Sequence, residues 1–180
     1  LAINKEIKIE TPKCPTCGGE TFKEEKAIEV GNIFPLKTKF SDAFNVKFKD
    51  EKGDLKTVIM GCYGIGLGRL MGAIVEALSD DKGIVWPESV APYKVHLISL
   101  GAKDGNDVEK ETEKLYGELK NAGAQVLYDD RDASAGTKLN DVDLLGMPWR
   151  VVVSEKTLAT GSAEIKERAT GAVTMLKLAS

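Results

Sequence analysis

Cysteine and histidine are scarce in this chain, with three and one respectively among 180 residues. That is too few for a disulfide framework in a protein of this size, and a reducing, cytoplasmic setting is the expectation. Long hydrophobic runs are absent too. No apolar stretch approaches the roughly 20 residues needed to span a bilayer, so no membrane segment is expected. An excess of positive charge is also missing. The net charge is −3, and it divides evenly, with 13 basic and 14 acidic side chains in residues 1–91 and 12 and 14 in residues 92–180. This argues against a nonspecific nucleic-acid binder, so any RNA contact must be local. There is no low-complexity tract and no internal repeat. The chain opens on Leu1 in polar, lysine-rich sequence, without a signal peptide or an initiator methionine, and is expected to be a piece of a longer protein.

What is present is ordinary globular material, 42% hydrophobic and 29% charged, enough for one large domain or two small ones. Residues 1–26 read as an extended segment leading into a tight turn at Cys14-Pro15-Thr16-Cys17-Gly18-Gly19. Short β-prone runs follow at Ala27–Ile33 and Phe44–Phe48. The turn Asp50–Asp54 then leads into Leu55–Met60 as an antiparallel hairpin. Gly61, Gly64, Gly66 and Gly68 suggest a strand entering a glycine-rich turn, and Leu70, Ile74, Val75 and Leu78 continue at helical spacing. Gly83–Pro92, flanked by Pro87 and Pro92, resembles a linker, and a domain boundary is placed near Ala91.

Beyond it the pattern alternates. Lys94–Leu100 and Gln125–Tyr128 read as strands around a helix over Asp104–Asn121, a βαβ unit. Thr137–Leu145 reads as a short helix, Trp149–Ser154 as an apolar strand, and Ala163–Arg168 with Val173–Leu176 as a closing hairpin. The fold class is α/β (α+β): a partial antiparallel sheet over residues 1–91, then a mixed α/β domain of about five strands and three helices over 92–180.

Two familiar nucleotide loops fail at the glycines. A dinucleotide fingerprint from Gly64 would need glycine where Arg69 stands, and a Walker loop from Gly61 would need lysine where Leu67 stands. What remains is adenine or phosphate contact by Arg69, whose planar cation suits stacking and phosphate pairing. The bland alternative is that Gly64, Gly66 and Gly68 merely permit a tight turn and close packing.

The run Gly61-Cys62-Tyr63-Gly64-Ile65-Gly66-Leu67-Gly68-Arg69-Leu70 closely resembles motif 3 of class II aminoacyl-tRNA synthetases in its prolyl form. Upstream, Glu29-Val30-Gly31-Asn32-Ile33-Phe34 with Thr38-Lys39-Phe40-Ser41 is similar to the prolyl enzymes' segment along the proline and ATP sites. The resemblance implies that Arg69 is the catalytic residue, its guanidinium lying against ATP, with Thr38, Gly66 and Gly68 also at the nucleotide. It places Asn32, Phe34, Cys62 and Gly64 at the proline pocket. Position 32, often histidine in these enzymes, is Asn here. Cys62 has the alternative of acting as a buried small hydrophobe.

The implied reaction is attack of the proline carboxylate on the α-phosphate of ATP, with magnesium assisting, followed by acyl transfer to tRNA. Motif 1 and the motif 2 arginine do not occur in this sequence, so the 180 residues alone are expected not to activate proline. A homodimer is implied for the intact enzyme.

Cys14-x-x-Cys17 has the spacing of half a zinc site, but two further ligands are hard to find, so no bound metal is expected. His96 sits in an apolar strand, where a core position is expected. By resemblance, this stretch follows an inserted editing domain and leads back into the catalytic sheet.

The block Tyr128-Asp129-Asp130-Arg131-Asp132, Gly136-Thr137-Lys138 and Asp141–Gly146 resembles the anticodon-binding domain shared by prolyl, threonyl, histidyl and glycyl synthetases. The implied partner is tRNA(Pro). Carboxylates suit the N–H donors of guanine, which the proline anticodons carry at their second and third positions. Asp130, Arg131, Lys138 and Asp143 are the candidates for the anticodon loop, with Lys166 and Arg168 on the last hairpin. The bland reading is a solvated turn with an internal Asp–Arg pair. Trp149 reads as core rather than a stacking platform. Rival readings are a noncatalytic RNA-binding paralogue or accessory protein, and a generic ATP-binding domain, which lacks a Walker lysine.

Overall fold

The computed structural model describes residues 12–103 and 105–178. Its contacts divide the chain into one unit ending at Cys62 and another beginning at Tyr63. The first unit contains strand β1 (Gly31–Lys37), helix α1 (Lys39–Ala43), and strands β2 (Lys47–Lys49) and β3 (Leu55–Thr57). Strand β4 (Met60–Ile65) begins in it, and β1 is hydrogen-bonded to β4.

The hairpin expected around residues 50–54 is present: β2 and β3 pair antiparallel, Lys47 opposite Thr57 and Lys49 opposite Leu55. Its turn is an aspartate device. The Asp50 carboxylate accepts from the amides of Lys52 at 2.9 Å and Asp54 at 3.0 Å, while Gly53 takes a φ of +86° that a side chain would resist. Lys56 closes on the same carboxylate at 2.7 Å and is the main cause holding Asp50 below its ordinary pKa.

Helix α1 falls between the two expected β runs, and the strand expected over Ala27–Ile33 is observed later, at Gly31–Lys37. The helix is short because Asn45, at φ +52°, turns the chain left-handed just after it, a conformation asparagine tolerates. Its Ser41 is fully buried and donates to the Val58 carbonyl, tying the helix to the hairpin.

The second unit holds helix α2 (Leu67–Ala77), the strand pair β5 (Ser79–Asp80) and β6 (Gly83–Ile84), and strand β7 (Val95–Leu100). Helix α3 (Asp107–Asn121), strand β8 (Val126–Asp129), helix α4 (Ala135–Leu145) and strand β9 (Trp149–Ser154) follow. Helix α5 (Glu155–Leu158) and strands β10 (Ser162–Glu167) and β11 (Val173–Lys177) complete it. The five long strands form one sheet in the order β11-β10-β9-β7-β8. Strand β7 is parallel to β8 and β9, whereas β10 is antiparallel to both of its neighbours. This is the mixed five-stranded sheet anticipated from the alternating pattern.

Its two faces carry different chemistry because side chains alternate along each strand. Val95, Leu97, Val126, Val151, Val153 and Ala163 line one face and bury it against Val108 and Leu115 of α3. The opposite face has a smaller apolar cluster, Ile98 and Val152 against Val142 of α4. Both clusters of buried apolar side chains found among the described residues lie in this second unit.

Helices α3, α4 and α5 begin on side-chain caps. Asn106 accepts from the Glu109 amide, Ser134 from that of Thr137, and Ser154 and Thr157 form a reciprocal box at α5. Helix α4 ends on Gly146, whose φ of +67° places it in the left-handed region.

The stretch read as a linker begins at Gly83, and its first residues fold as β6, paired with β5 against the end of α4. The approach is backbone to backbone. A Cβ added at Gly146 would meet the Ile84 carbonyl oxygen at 1.8 Å, and one at Gly83 would meet Leu144 Cα at 2.4 Å. Trp86 donates its amide to the Gly146 carbonyl at 3.1 Å. A Gly146→Ala variant combines a disfavoured φ with overlap on a main chain that has no rotamer to change. It should lose about 2–3 kcal/mol of stability, read as a lowered denaturant midpoint at unchanged slope.

Candidate functional site

The residues assigned to a nucleotide and proline site fall on two segments. In the first unit, Asn32 and Phe34 lie on β1 and both are exposed; the Asn32 amide donates to Glu29 at 3.0 Å. Lys37 takes a φ of +50°, unusual for a side-chain-bearing residue, and turns the strand into Thr38. Thr38 is the N-cap of α1: its carbonyl accepts from the Asp42 amide at 2.8 Å, and its side chain makes no capping bond. Cys62 on β4 is a free thiol and exposed, so the alternative of a buried hydrophobe does not describe it.

In the second unit, the glycine-rich run is not the extended turn that its composition suggests. Gly61 and Gly64 lie within β4, and the change from strand to helix takes place at Gly66 alone, with φ −79° and ψ 93°. Neither Gly64 nor Gly68 has a neighbour within 4 Å of an added Cβ, and neither has a positive φ. Their smallness leaves open backbone rather than permitting a sharp bend. Arg69 is exposed and is the third residue of α2, in the first turn, where amide groups are free of intrahelical partners.

The candidate anticodon residues surround the face of the sheet that α4 partly covers. Arg131 reaches back to Asp129 with Nε at 2.8 Å and Nη2 at 2.7 Å, and Nη2 also meets Asp141 of α4 at 2.7 Å. The internal Asp–Arg pair considered for this turn is therefore formed. Asp129 is nearly buried and sits below its ordinary pKa chiefly because of the Arg131 hydrogen bond; Arg131 is raised for the same reason. More than half of the Arg131 side chain stays exposed, so a fixed guanidinium plane faces outward. Asp130 beside it is exposed.

Lys138 is different. It is 3% exposed, and its Nζ donates to the carbonyls of Asp129 at 3.0 Å and Ser99 at 3.2 Å. The ammonium ties the ends of the parallel strands β7 and β8 to α4. Asp143, Lys166, Arg150 and Glu164 form a half-buried network: Arg150 meets Glu164 at 2.7 Å and Asp143 at 3.8 Å, and Lys166 meets Asp143 at 3.6 Å. Arg168 is 8% exposed and forks onto Asp80 with two bonds of 2.6 Å, which joins β5 to the end of β10.

The register places Lys166, Arg150, His96 and Leu127 in one row across four strands. His96 is 2% exposed, as its apolar strand suggested, and its Nδ1 has no partner among the described residues. Burial holds its pKa below the ordinary value against the opposing pull of Asp129, so the ring is neutral at pH 7. It lines a cavity of about 420 Å³ walled by Leu127, Leu144 and Leu145 and rimmed by Asp129, Asp130, Arg131 and Asp141. Trp149 packs against the core, with its indole N–H donating to Glu88 at 2.8 Å.

Asp80, Asp141, Arg150 and Glu164 were missed as members of these clusters. Arg150 and Glu164 sit in β-patterned runs at positions that the register brings together, which is a usable signal. Asp80 pairs with a residue 88 positions away, and nothing local marks it.

Comparison with known proteins accounts for both segments. Residues 94–180 match the model of an anticodon binding domain, and residues 19–78 match the tRNA synthetase class II core domain of the G, H, P, S and T group. A relative from Thermosipho africanus, described as "Proline--tRNA ligase", is 50% identical over 168 residues. That alignment covers 93% of this chain and 29% of the relative. Proteins of the same description from Thermoanaerobacter sp. (strain X514) and Caldicellulosiruptor bescii are 49% and 46% identical, over 89% and 87% of this chain and 28% and 27% of their own lengths. The fold and both matches define a segment of a class II aminoacyl-tRNA synthetase. Within that class, the chain belongs to the prolyl-tRNA synthetase family. It spans under a third of the length of the curated relatives it matches.

Two outcomes follow from the charges. Asp80 is held far below its ordinary 3.8, first by the Arg168 hydrogen bond. A depressed carboxyl binds fewer protons folded than unfolded, so its stabilisation is complete above about pH 4 and is lost as the pH falls further. Acid unfolding followed by circular dichroism should show this loss, and Asp80→Asn should flatten the curve below pH 4 while lowering stability at pH 7. Lys138→Met keeps the stem and removes the donor from two buried carbonyls. A loss of about 1–3 kcal/mol is expected by denaturant titration.

Proposed function

We propose that the longer protein containing this chain activates proline with ATP and transfers it to tRNA(Pro), and that these 180 residues supply motif 3, part of the proline pocket and the anticodon-binding domain. The observation that carries this reading is the identity, close to half, with proteins described as proline--tRNA ligases along nearly the whole chain. We assign residues 1–91 to the catalytic part and 92–180 to the anticodon-binding part. The setting proposed is the cytoplasm, with a homodimer as the intact enzyme. Nothing observed favours the rival of a noncatalytic RNA-binding paralogue.

In this reading Arg69 is the catalytic residue. Adenylate formation depends on holding a carboxylate in line with the α-phosphate and offsetting negative charge on leaving pyrophosphate. A permanently charged planar group in the first turn of α2 suits adenine stacking and phosphate pairing together. Gly66 and Gly68 bring open backbone to the nucleotide, and Thr38 contacts it from the other segment. Asn32, Phe34, Cys62 and Gly64 shape a small compartment for the proline ring, whose compact apolar form is selected by fit. Among the described residues no group of three or more His, Cys, Asp or Glu side chains could hold a metal ion. Magnesium would enter with ATP and offset phosphate charge there.

For the anticodon, Asp130 and Arg131 are the residues we place against splayed bases. The carboxylate accepts from guanine N–H groups, and the guanidinium, already fixed by Asp129 and Asp141, offers a stacking plane at little entropic cost. Asp143 and Lys166 border the same face. Lys138 and Arg168, both buried and paired, position that surface rather than read bases.

Three measurements test this. In the longer protein, Arg69→Ala should reduce proline-dependent pyrophosphate exchange by about 100-fold or more. The 180-residue chain alone should show no exchange; robust turnover by it would overturn the division of labour. An anticodon stem-loop of proline sequence should bind the chain, and Asp130→Asn and Arg131→Ala should each weaken it by about 10-fold, while a stem-loop with both guanines replaced should be indifferent to Asp130→Asn.

A further inference from the structure

The Cys14–Cys17 turn takes no part in the functions proposed above, yet its geometry is specific. Gly18 donates its amide to the Cys14 carbonyl at 2.8 Å, and Cys14 donates its own to the Gly19 carbonyl at 2.8 Å. These two bonds fold residues 14–19 into one closed loop, with Gly18 at φ +72°. The Cys14 sulfur accepts hydrogen bonds from the amides of Cys17 and Thr16 and from the Cys17 thiol. Both cysteines are free; Cys14 is buried and Cys17 exposed.

We propose that Cys14 and Cys17 form a redox-active dithiol that is oxidised to an intramolecular disulfide by low-molecular-weight disulfides such as oxidised glutathione. Zinc is the other occupant that a Cys-x-x-Cys turn suggests, but among the described residues no third ligand joins the pair. A disulfide needs Cα atoms within about 7 Å, and the turn closed by the Gly18 amide on the Cys14 carbonyl holds these two cysteines, three positions apart, within that reach.

Exposure decides the order of events. Cys17 loses its proton to water, and its thiolate attacks one sulfur of the small disulfide; that S–S bond breaks, and the departing thiolate takes up a proton. The Cys14 thiolate then attacks the Cys17 sulfur, the mixed disulfide breaks, and the second glutathione leaves as a thiol. Two electrons pass from the protein dithiol to the small disulfide, and two protons end on the two products. Cys14 is suited to the second step because the Cys17 and Thr16 amides, the two largest causes holding its pKa below the ordinary value, belong to the backbone and remain when Cys17 is in the mixed disulfide.

The test uses the 180-residue chain, first assayed for metal content, then exposed to oxidised glutathione, acid-quenched, alkylated and mapped by peptide mass spectrometry. The expected result is a disulfide within the peptide carrying Cys14 and Cys17, with two glutathiones released per chain. Its closing rate should rise with pH as Cys14 ionises and fall about tenfold per pH unit well below the Cys14 pKa. Cys14→Ser should stop at a stable mixed disulfide on Cys17, and circular dichroism of that variant should match the parent. Accumulation of glutathione on Cys17 of the parent without closure, modification confined to Cys62, or near-stoichiometric metal on the two thiols would each overturn the proposal.

Discussion

A single buried ammonium organises the second unit. Lys138 reaches from α4 to the carbonyls of Ser99, near the end of β7, and Asp129, at the end of β8. A buried ammonium is tolerated only with such acceptors, because an unpaired one would cost far more than a neutral polar group. With Lys138 fixed, α4 cannot slide along the sheet. Asp141, one turn further along that helix, is then held where Arg131 can bridge it to Asp129. The outward guanidinium plane, the cavity beside His96 and the acidic rim all take their positions from this brace.

A second constraint acts at the other end of α4. Gly146 and Gly83 allow two backbones to touch, and Arg168 grips Asp80 just beside them. Contact and ion pair reinforce each other: the close approach is possible only without side chains, and the fork fixes the strand pair that approaches. The stretch before the five-stranded sheet is thereby part of the second unit's framework, although proline spacing gives it the look of a tether. Charge on the sheet face that α4 leaves partly open is paired rather than of one sign: Lys166 and Arg150 meet Asp143, Arg150 also meets Glu164, and Arg131 meets Asp129 and Asp141.

Much of this was legible in the sequence where local rules govern. Alternation in Lys94–Leu100 and Trp149–Ser154, the helical spacing after Asn106, and Thr170-Gly171 between two β runs all predicted elements that are present. The glycine run misled because glycine marks both turns and strands that need open backbone, and β-prone Tyr63 and Ile65 settle the matter for a strand. Helix α1 escaped notice because five residues are too few for a period to show. The site was legible by type and not by role. Lys138 and Arg168 were read from the sequence as candidates for the anticodon, and their burial rests on partners 39 and 88 residues away. One clue was available: Lys138 precedes Val142 by four residues, an inward step on α4.

Helix α2 carries Arg69 in its first turn and has no buried residue along its 11 positions. An isolated helix of that length is marginal in water, since propagation barely offsets the cost of nucleation. Of its apolar side chains, Leu67 and Met71 lie open and Leu70, Ile74 and Val75 are half-buried. A guanidinium mounted on such a helix has only as much directional persistence as the helix has lifetime. The direction in which Arg69 points is thus set by whatever packs on α2 as much as by the helix that carries it.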